Sequence, residues 1–344
     1  LGVQLGDLVE PRKVAIEDLS GRTIAFDGHN VLYQFLAIIR GRGGEPLRDS
    51  QGRITSHLSG LIYRNSNLME AGIRVVYVFD GEPHVFKRRV LEARHEVRAE
   101  ARERYERAVE AGDVEAARRW GQQSVVASTD TIRDAKRLLT LMGVPWVQAP
   151  GEGEAQSAYM AAKGVVWASA SQDFDSLLFG APRLVRNLSV SGRRKLPRKN
   201  VYVKVEPEMY ELGMMLEELG LTREQLVDVG ILTGTDYNPE GVKGIGPKTA
   251  IKLIREHGSL EGALPHLKGA EFPHPVEEIR ALFLEPRTTD DYRLEWRRPD
   301  AEGIVAFLCG EHGFSRDRIL NAVEKMQRGF TGSSKSTTLD RWFG

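Results

Sequence analysis

The chain has 344 residues, with 48 Lys plus Arg against 48 Asp plus Glu, a formal net charge of zero and 41% hydrophobic residues. This is the composition of an ordinary globular protein with a sizeable core, and it excludes an overall basic field, so any polyanion must be held by local charge. The single Cys309 excludes an intrachain disulfide framework and a cysteine-built metal cluster, and is read as a small buried hydrophobe.

No apolar run has membrane-spanning length and no signal-peptide pattern is seen, so an intracellular protein is expected. Leu1 is expected to be a start codon translated literally, which would leave Gly2 at the mature N-terminus.

In chain order, Arg22–Asp27 reads as a strand, Gly28-His29-Asn30 as a turn and Val31–Leu36 as the start of a helix. Residues 41–52 read as a loop, and Thr55 as the N-cap of a helix from Ser56 to Ala71. Arg74–Asp80 is a second strand ending in an acid. Strand–helix–strand alternation predicts a parallel α/β sheet. Residues 84–137 hold 13 Lys plus Arg against 10 Asp plus Glu and few large apolar side chains before Trp120. They predict a charged helical hairpin that stands off the domain, which by itself need be no more than a solvated surface. Asp134–Met142 returns to the core, and Gly143–Val147 reads as another strand.

The stretch Gly151–Asp175 is the centre of the reading. Glu152 and Glu154 open a helix, Val165–Ser171 is a buried strand, and Asp173 and Asp175 follow its end. At alternate positions each pair can face one way if the chain is extended. Four clustered carboxylates repel unless a cation sits among them, and all-oxygen ligands suit Mg²⁺ or Mn²⁺ rather than zinc. Alone, the stretch is equally compatible with two solvated acidic turns.

From Ser176 to Val205 there is no acid, but there are eight positive charges, including Arg193 and Arg194. Two β-rich runs, Arg183–Val190 and Asn200–Val205, predict a basic ribbon suited to a polyanion. Leu212–Gly220 and Arg223–Thr233 read as helices, the second capped by Thr222. Gly244-Ile245-Gly246-Pro247-Lys248 leads into a helix through His257, with Pro247 at its first position. The exposed amides of Gly244 and Gly246, with Lys248, form a plausible phosphate-binding turn, or else a simple interhelical turn. Phe307 and Phe314 are expected in the core, and residues 329–336 read as a flexible linker. Asp27 and Asp80 end strands, as Asp173 and Asp175 do. Sites in such sheets lie at the carboxyl ends of strands, so Asp27, Asp80, Glu152, Glu154, Asp173 and Asp175 are expected in one crevice, with Asp236 joining from the helical part. Seven acids beside basic elements fit two-metal phosphodiester hydrolysis.

The motifs Phe26-Asp27, Val78–Gly81, Glu152–Gln156, Ser171–Gly180, Gly234–Tyr237 and Gly244–Lys248 resemble, in order and spacing, those of the structure-specific 5′ nucleases. The likeness runs from Gly2 to Phe343 and is closest to the archaeal and eukaryotic flap endonucleases. It implies a PIN-like α/β core with a helical arch and a helix–two-turn–helix DNA-binding element. The regions would be 1–100 (N-terminal nuclease), 81–135 (arch), 136–258 (internal nuclease), 259–328 (C-terminal helical part) and 329–344 (flexible tail). It also implies 5′ flap endonuclease and 5′–3′ exonuclease activity in replication and repair, with the seven acids holding two Mg²⁺ ions, or Mn²⁺ in their place. Lys87 and Arg94 would meet the scissile phosphate, Tyr33 would stack on a base, Gly2 would lie near the site, and Thr55 and Arg64 would grip duplex DNA. Carbonyls near Val242 and Ile245 would bind K⁺. Leu339, Trp342 and Phe343 would dock on a sliding clamp, although Ser336 stands where the family usually has Gln. His29 is read as local packing. The likeness to archaeal members implies a monomer from an archaeon, cytoplasmic and acting on chromosomal DNA. The rival readings are a junction-binding protein with dead chemistry, which the presence of all seven acids disfavours, and a Holliday-junction or bubble nuclease.

Overall fold

The computed structural model describes residues 5, 6, 8–41, 44–189, 192–195, 202–267 and 269–343, apart from the side chains of 192–195, 202–204 and 332–343. β1 (Arg12–Lys13) precedes β2 (Thr23–Asp27), α1 (Gly28–Ile38), α2 (Ser56–Glu70) and β3 (Arg74–Phe79). A 3₁₀ turn, Val85–Lys87, leads into α3 (Arg88–Glu110), then α4 (Val114–Gln123), α5 (Thr129–Leu141) and β4 (Trp146–Gln148). α6 (Gly153–Ala162), β5 (Ala168–Ala170), α7 (Asp175–Leu178) and β6 (Arg183–Arg186) follow. β7 (Gly192–Lys195) and β8 (Tyr202–Val205) form a separate antiparallel ribbon. After β9 (Glu208–Glu211) the chain is helical: α8 (Leu212–Leu219), α9 (Arg223–Thr233), α10 (Pro247–His257), α11 (Leu260–Ala263), α12 (Val276–Leu284), α13 (Ala301–Val305) and α14 (Arg316–Phe343).

The main sheet runs β1-β9-β6-β5-β2-β3-β4. Strands β6 to β4 in that order are parallel neighbours, and β9 and β1 add an antiparallel edge. The chain moves outward from β2 to β3 and β4, then returns to β5 on the other side of β2. That reversal opens a crevice at the carboxyl ends of β2 and β5. The central strands β2, β3 and β5 are buried almost throughout because both faces are covered. Ile24 and Phe26 join one core with α1, α2, α5 and α14 residues, while Ala25 faces a second with Val76, Val78 and Met160. Alternation along the strand requires this split. Phe307 is fully buried, and Phe314 and Cys309 pack partly buried against the first core.

Three expectations need correction. The run Arg183–Val190 supplies β6 of the main sheet, not an arm of the ribbon, because its apolar Leu184 and Val185 are buried between β5 and β9. Arg183 and Arg186 lie 4.0 Å from Glu211 and Glu208, so two of the eight positive charges have acidic partners. Thr55 does precede α2 but makes no side-chain cap. Residues 329–336, expected to be a linker, continue α14. Once a helix is nucleated each further residue adds to it cheaply, and α14 is anchored on α2 through Arg328 and Lys325 on Glu70. Boundaries set by capping chemistry agree: Thr222 and Gln225 form a reciprocal capping box on α9, and Pro247 opens α10.

The hairpin α3–α4 is lean in large apolar residues because its two helices meet through small ones. Ala101, Ala108 and Ala117 are buried there. Its outer face carries the i,i+4 pairs Glu100–Arg104, Glu103–Arg107 and Arg102–Glu106. Arg40 donates to the Gly121 carbonyl and ties α4 to α1. Among the described residues no helix is long and apolar enough to cross a membrane.

Candidate active site at the carboxyl edge of the sheet

Asp27 ends β2 and caps α1, accepting the Asn30 amide at 3.0 Å. It is almost fully buried. Asp80 follows β3, and its carboxylate accepts the amide of Gly153, the first residue of α6, at 2.7 Å. A Cβ on Gly153 would lie 2.9 Å from that carboxylate oxygen, so glycine is needed for this approach. His29 Nδ1 accepts the Asp80 amide at 3.0 Å and therefore has no proton for the Asp80 carboxylate 3.2 Å away. It packs edge-on against Phe79 and orients the Asp80 backbone.

The acids sort into two groups. Glu154, Asp173, Asp175 and Asp27 repel one another. Burial first, then these neighbouring charges and that of Asp80, push the Asp27 and Glu154 carboxyls well above the usual range. Ser171 donates to Glu154 and accepts the Asp173 amide at 3.2 Å. Asn30 Nδ2 donates to Asp173 at 3.2 Å.

Glu152 and Asp236 form the other group. Lys87 Nζ lies 2.7 Å from Glu152 and 3.1 Å from Asp236, and Arg94 lies 2.5 Å from Asp236. Burial opposes ionisation of Asp236, but Lys87 and Arg94 outweigh it and hold its carboxyl below the usual range. The two acids raise the Lys87 ammonium against its own burial. Tyr237, buried beneath Lys87, donates its hydroxyl to Glu152. Glu152 and Glu154 thus face different groups, against the expectation for an extended pair. The reason is local: Glu152 is the extended N-cap residue, but α6 starts at Gly153, so the chain is no longer extended where it carries Glu154.

The chemistry of the donor set fits hard divalent cations: carboxylate oxygens, buried, mutually repelling, with an internal ammonium standing between two of them. Among the described residues no group of three acids is arranged to hold an ion as the side chains stand. In the Glu152–Asp236 group, Lys87 takes the space between the oxygens.

Lys87 and Arg94 were expected at this site and are found in it. Tyr33 lies on α1 under the arch, with Arg98 4.8 Å from its ring centre. Gly244 has φ +84°, open space around it, and leads into Gly246 and Lys248 at the start of α10, all exposed. The Val242 carbonyl accepts the Ile245 amide at 3.0 Å. Two expected DNA contacts point elsewhere. Thr55 is buried, and Arg64 turns inward and donates Nε to the Leu188 carbonyl at 2.9 Å. Burial lowers its pKa to about 10. The backbone of Arg193 and Arg194 lies in β7 and that of Leu339, Trp342 and Phe343 in α14; their side chains, and Gly2, lie outside the described residues. Asn30, Ser171 and Tyr237 were not foreseen as site residues. Their only signal in the sequence is proximity to Asp27, Asp173 and Asp236.

Two family patterns match the chain: the XPG N-terminal domain over residues 2–101 and the XPG I-region over residues 143–236. The chain is 52% identical over 349 residues to Flap endonuclease 1 of Staphylothermus marinus, covering 100% of both chains. It resembles the structure of flap endonuclease-1 from Methanococcus jannaschii, with TM-score 0.76 and 41% identity over 96% of this chain and 99% of that one. It also resembles the catalytic core of Rad2 in complex with a DNA substrate, with TM-score 0.71 and 25% identity over 94% of this chain and 100% of that one.

Proposed function

The chain belongs to the flap endonucleases of the XPG nuclease family, enzymes that hydrolyse DNA phosphodiester bonds, and from that premise we propose how its own residues divide the work. The family is generally Mg²⁺-dependent. Asp27, Asp80, Glu154, Asp173 and Asp175 would hold one part of a two-ion site and Glu152 and Asp236 the other. When bound there, the ions supply an activated water and neutralise charge at the leaving oxygen.

The observation that carries the reading is the Lys87–Glu152–Asp236–Arg94 cluster at the mouth of the acid crevice. Lys87 and Arg94 stand on the arch side, where a strand passing beneath α3 and α4 would present its phosphate. Released from their acids, both cations would stabilise charge developing on that phosphate. Tyr33, beneath Arg98, would stack on the adjoining base. The ribbon β7–β8, with Arg193 and Arg194, and the turn Gly244–Lys248 would hold duplex phosphates without reading sequence; the Val242 and Ile245 carbonyls would seat K⁺ there. These contacts suit a 5′ flap, and through it Okazaki-fragment processing and base-excision repair.

The test is a labelled double-flap DNA, incubated with and without Mg²⁺. A single cut at the flap base that requires Mg²⁺ supports the reading; equal cutting in excess chelator contradicts it. Leu339, Trp342 and Phe343 would anchor a sliding clamp as a few dominant apolar contacts. Deleting residues 337–344 should then abolish clamp binding in a calorimetric titration while leaving cleavage of the free flap unchanged. Undiminished clamp binding would remove this role.

A further inference from the structure

One chain of side-chain hydrogen bonds runs from the approach to the ribbon into the acid crevice. Ser189 Oγ donates to Gln34 Oε1 at 2.6 Å. Gln34 Nε2 donates to Asn30 Oδ1 at 2.7 Å, and Asn30 Nδ2 donates to Asp173 Oδ2 at 3.2 Å. We propose that Asn30 and Gln34 are positioning residues which, through this one-way chain from Ser189, hold the Asp173 carboxylate oriented for divalent-cation binding.

The direction of the chain is fixed by its end. An ionised carboxylate only accepts, so Asn30 must turn its NH₂ group toward Asp173. That leaves Asn30 Oδ1 facing Gln34, which must present its own NH₂, and Gln34 Oε1 is then left for the hydroxyl of Ser189. No amide in the chain can flip without setting two acceptors or two donors face to face. Both amides sit on one face of α1 at i and i+4, the spacing at which side chains meet on a helix. Asn30 also gives its backbone amide to Asp27 at 3.0 Å, so one residue fixes two acids from different strands.

The other end of the chain is anchored as well. Arg64 grips the Leu188 carbonyl and Arg186 Nε donates to the Gln172 carbonyl at 3.0 Å, which fixes the segment carrying Ser189 against the one carrying Asp173. Asn30, Gln34, Ser171, Gln172 and Ser189 line a narrow cleft between α1 and the ends of β5 and β6. Ser189 lies three residues before β7, so the chain joins the foot of the ribbon to the crevice. Groups that orient metal ligands in this way typically change metal affinity by about 10–100-fold when removed.

This rests on the crevice being the divalent-cation site, so the test includes a control for that reading. Binding of Mn²⁺ to the DNA-free protein is followed by loss of the free-ion EPR signal, for wild type, Asp173→Ala, Asn30→Leu, Gln34→Met, Ser189→Ala and Ser189→Thr. Weaker Mn²⁺ binding by about 10-fold or more is expected for Asp173→Ala and Asn30→Leu. A smaller loss is expected for Gln34→Met and Ser189→Ala, with recovery in Ser189→Thr. Single-turnover cleavage by Asn30→Leu and Gln34→Met should recover as Mg²⁺ is raised to saturation, which a general packing defect would not allow. If Asp173→Ala weakens binding while Asn30→Leu and Gln34→Met do not, the positioning role is overturned and the cation site stands. If Asp173→Ala binds Mn²⁺ like wild type, the cation site itself is overturned, and this inference with it.

Discussion

Glu152 and Asp236 have protein cations between them, whereas like charges and burial dominate the surroundings of Asp27 and Glu154. The chemistry of the side chains is the same, yet Asp236 is held below the usual carboxylate range and Asp27 and Glu154 well above it. Lys87 and Arg94 pair directly with the first group, whereas burial and like charge outweigh the influence of Lys87 on Asp27 in the second. A crevice that crowds buried like charges in this way would gain by receiving a cation from solution. On the proposed reading, the half that has its own cations would release them to a substrate phosphate. The contrast assigns the two halves different tasks, and substitutions can exaggerate or erase it.

The largest effect should come from removing one of the acids proposed to hold an ion. Asp175→Ala or Asp80→Ala should reduce flap cleavage to about 10⁻³ of wild type or less, since both nucleophile activation and charge neutralisation go with the ion. DNA affinity by gel shift should largely survive, because the ribbon and the Gly244–Lys248 turn lie apart from these acids. Near-normal cleavage in Mg²⁺ would sink the ligand assignment. Lys87→Ala tests the other half, and two readouts should move in opposite directions. Single-turnover cleavage should fall by about 10²-fold, as for loss of a group that stabilises transition-state charge. Mn²⁺ binding to the DNA-free protein should tighten, because Glu152 and Asp236 lose the ammonium that competes for their oxygens. An unchanged cleavage rate, or weaker Mn²⁺ binding, would contradict the role given to Lys87.

A smaller effect is expected well away from the crevice. Lys248→Ala should weaken duplex binding alike for all sequences and lower the slope of log affinity against log salt by about one, as for one lost phosphate contact. An unchanged slope would show that Lys248 does not touch the backbone. This change should leave the contrast between the two acid groups intact, which separates docking from chemistry.

Much of this was legible in the sequence, for identifiable reasons. Apolar runs ending in Asp27 and Asp80 announce parallel strands, and Thr222 and Pro247 mark helix starts through local chemistry that needs no partner. The sorting of the acids was not legible. Glu152 and Glu154 are two residues apart, yet the helix start at Gly153 sends them to opposite groups. Asn30 and Asp173 are 143 residues apart, and nothing in either segment names the other. Arg64, expected from the resemblance to grip duplex DNA, serves the Leu188 carbonyl inside the fold. The short strands β1 and β9 carry little apolar pattern: β9 forms because β6 offers an edge to pair with, and β1 because β9 then offers the next.

The central claim is that Asp27 and its neighbours are destabilising until a cation arrives, and thermal unfolding of wild type and Asp27→Asn tests it directly. Asn keeps the helix cap that Asp27 provides while removing its charge. A carboxyl raised in the folded state binds more protons folded than unfolded, so its contribution to stability is present below the ordinary carboxylate range and is lost as pH rises through the raised value. In excess chelator, wild type and Asp27→Asn should therefore melt alike near pH ~4, with the variant melting higher, by about 2 °C or more, near pH ~8. Adding Mg²⁺ at the higher pH should raise the wild-type melting temperature and close or reverse that gap, because binding to the folded state alone stabilises it. A variant that melts below wild type in chelator at both pH values, with the same Mg²⁺ increment in each protein, would contradict the account.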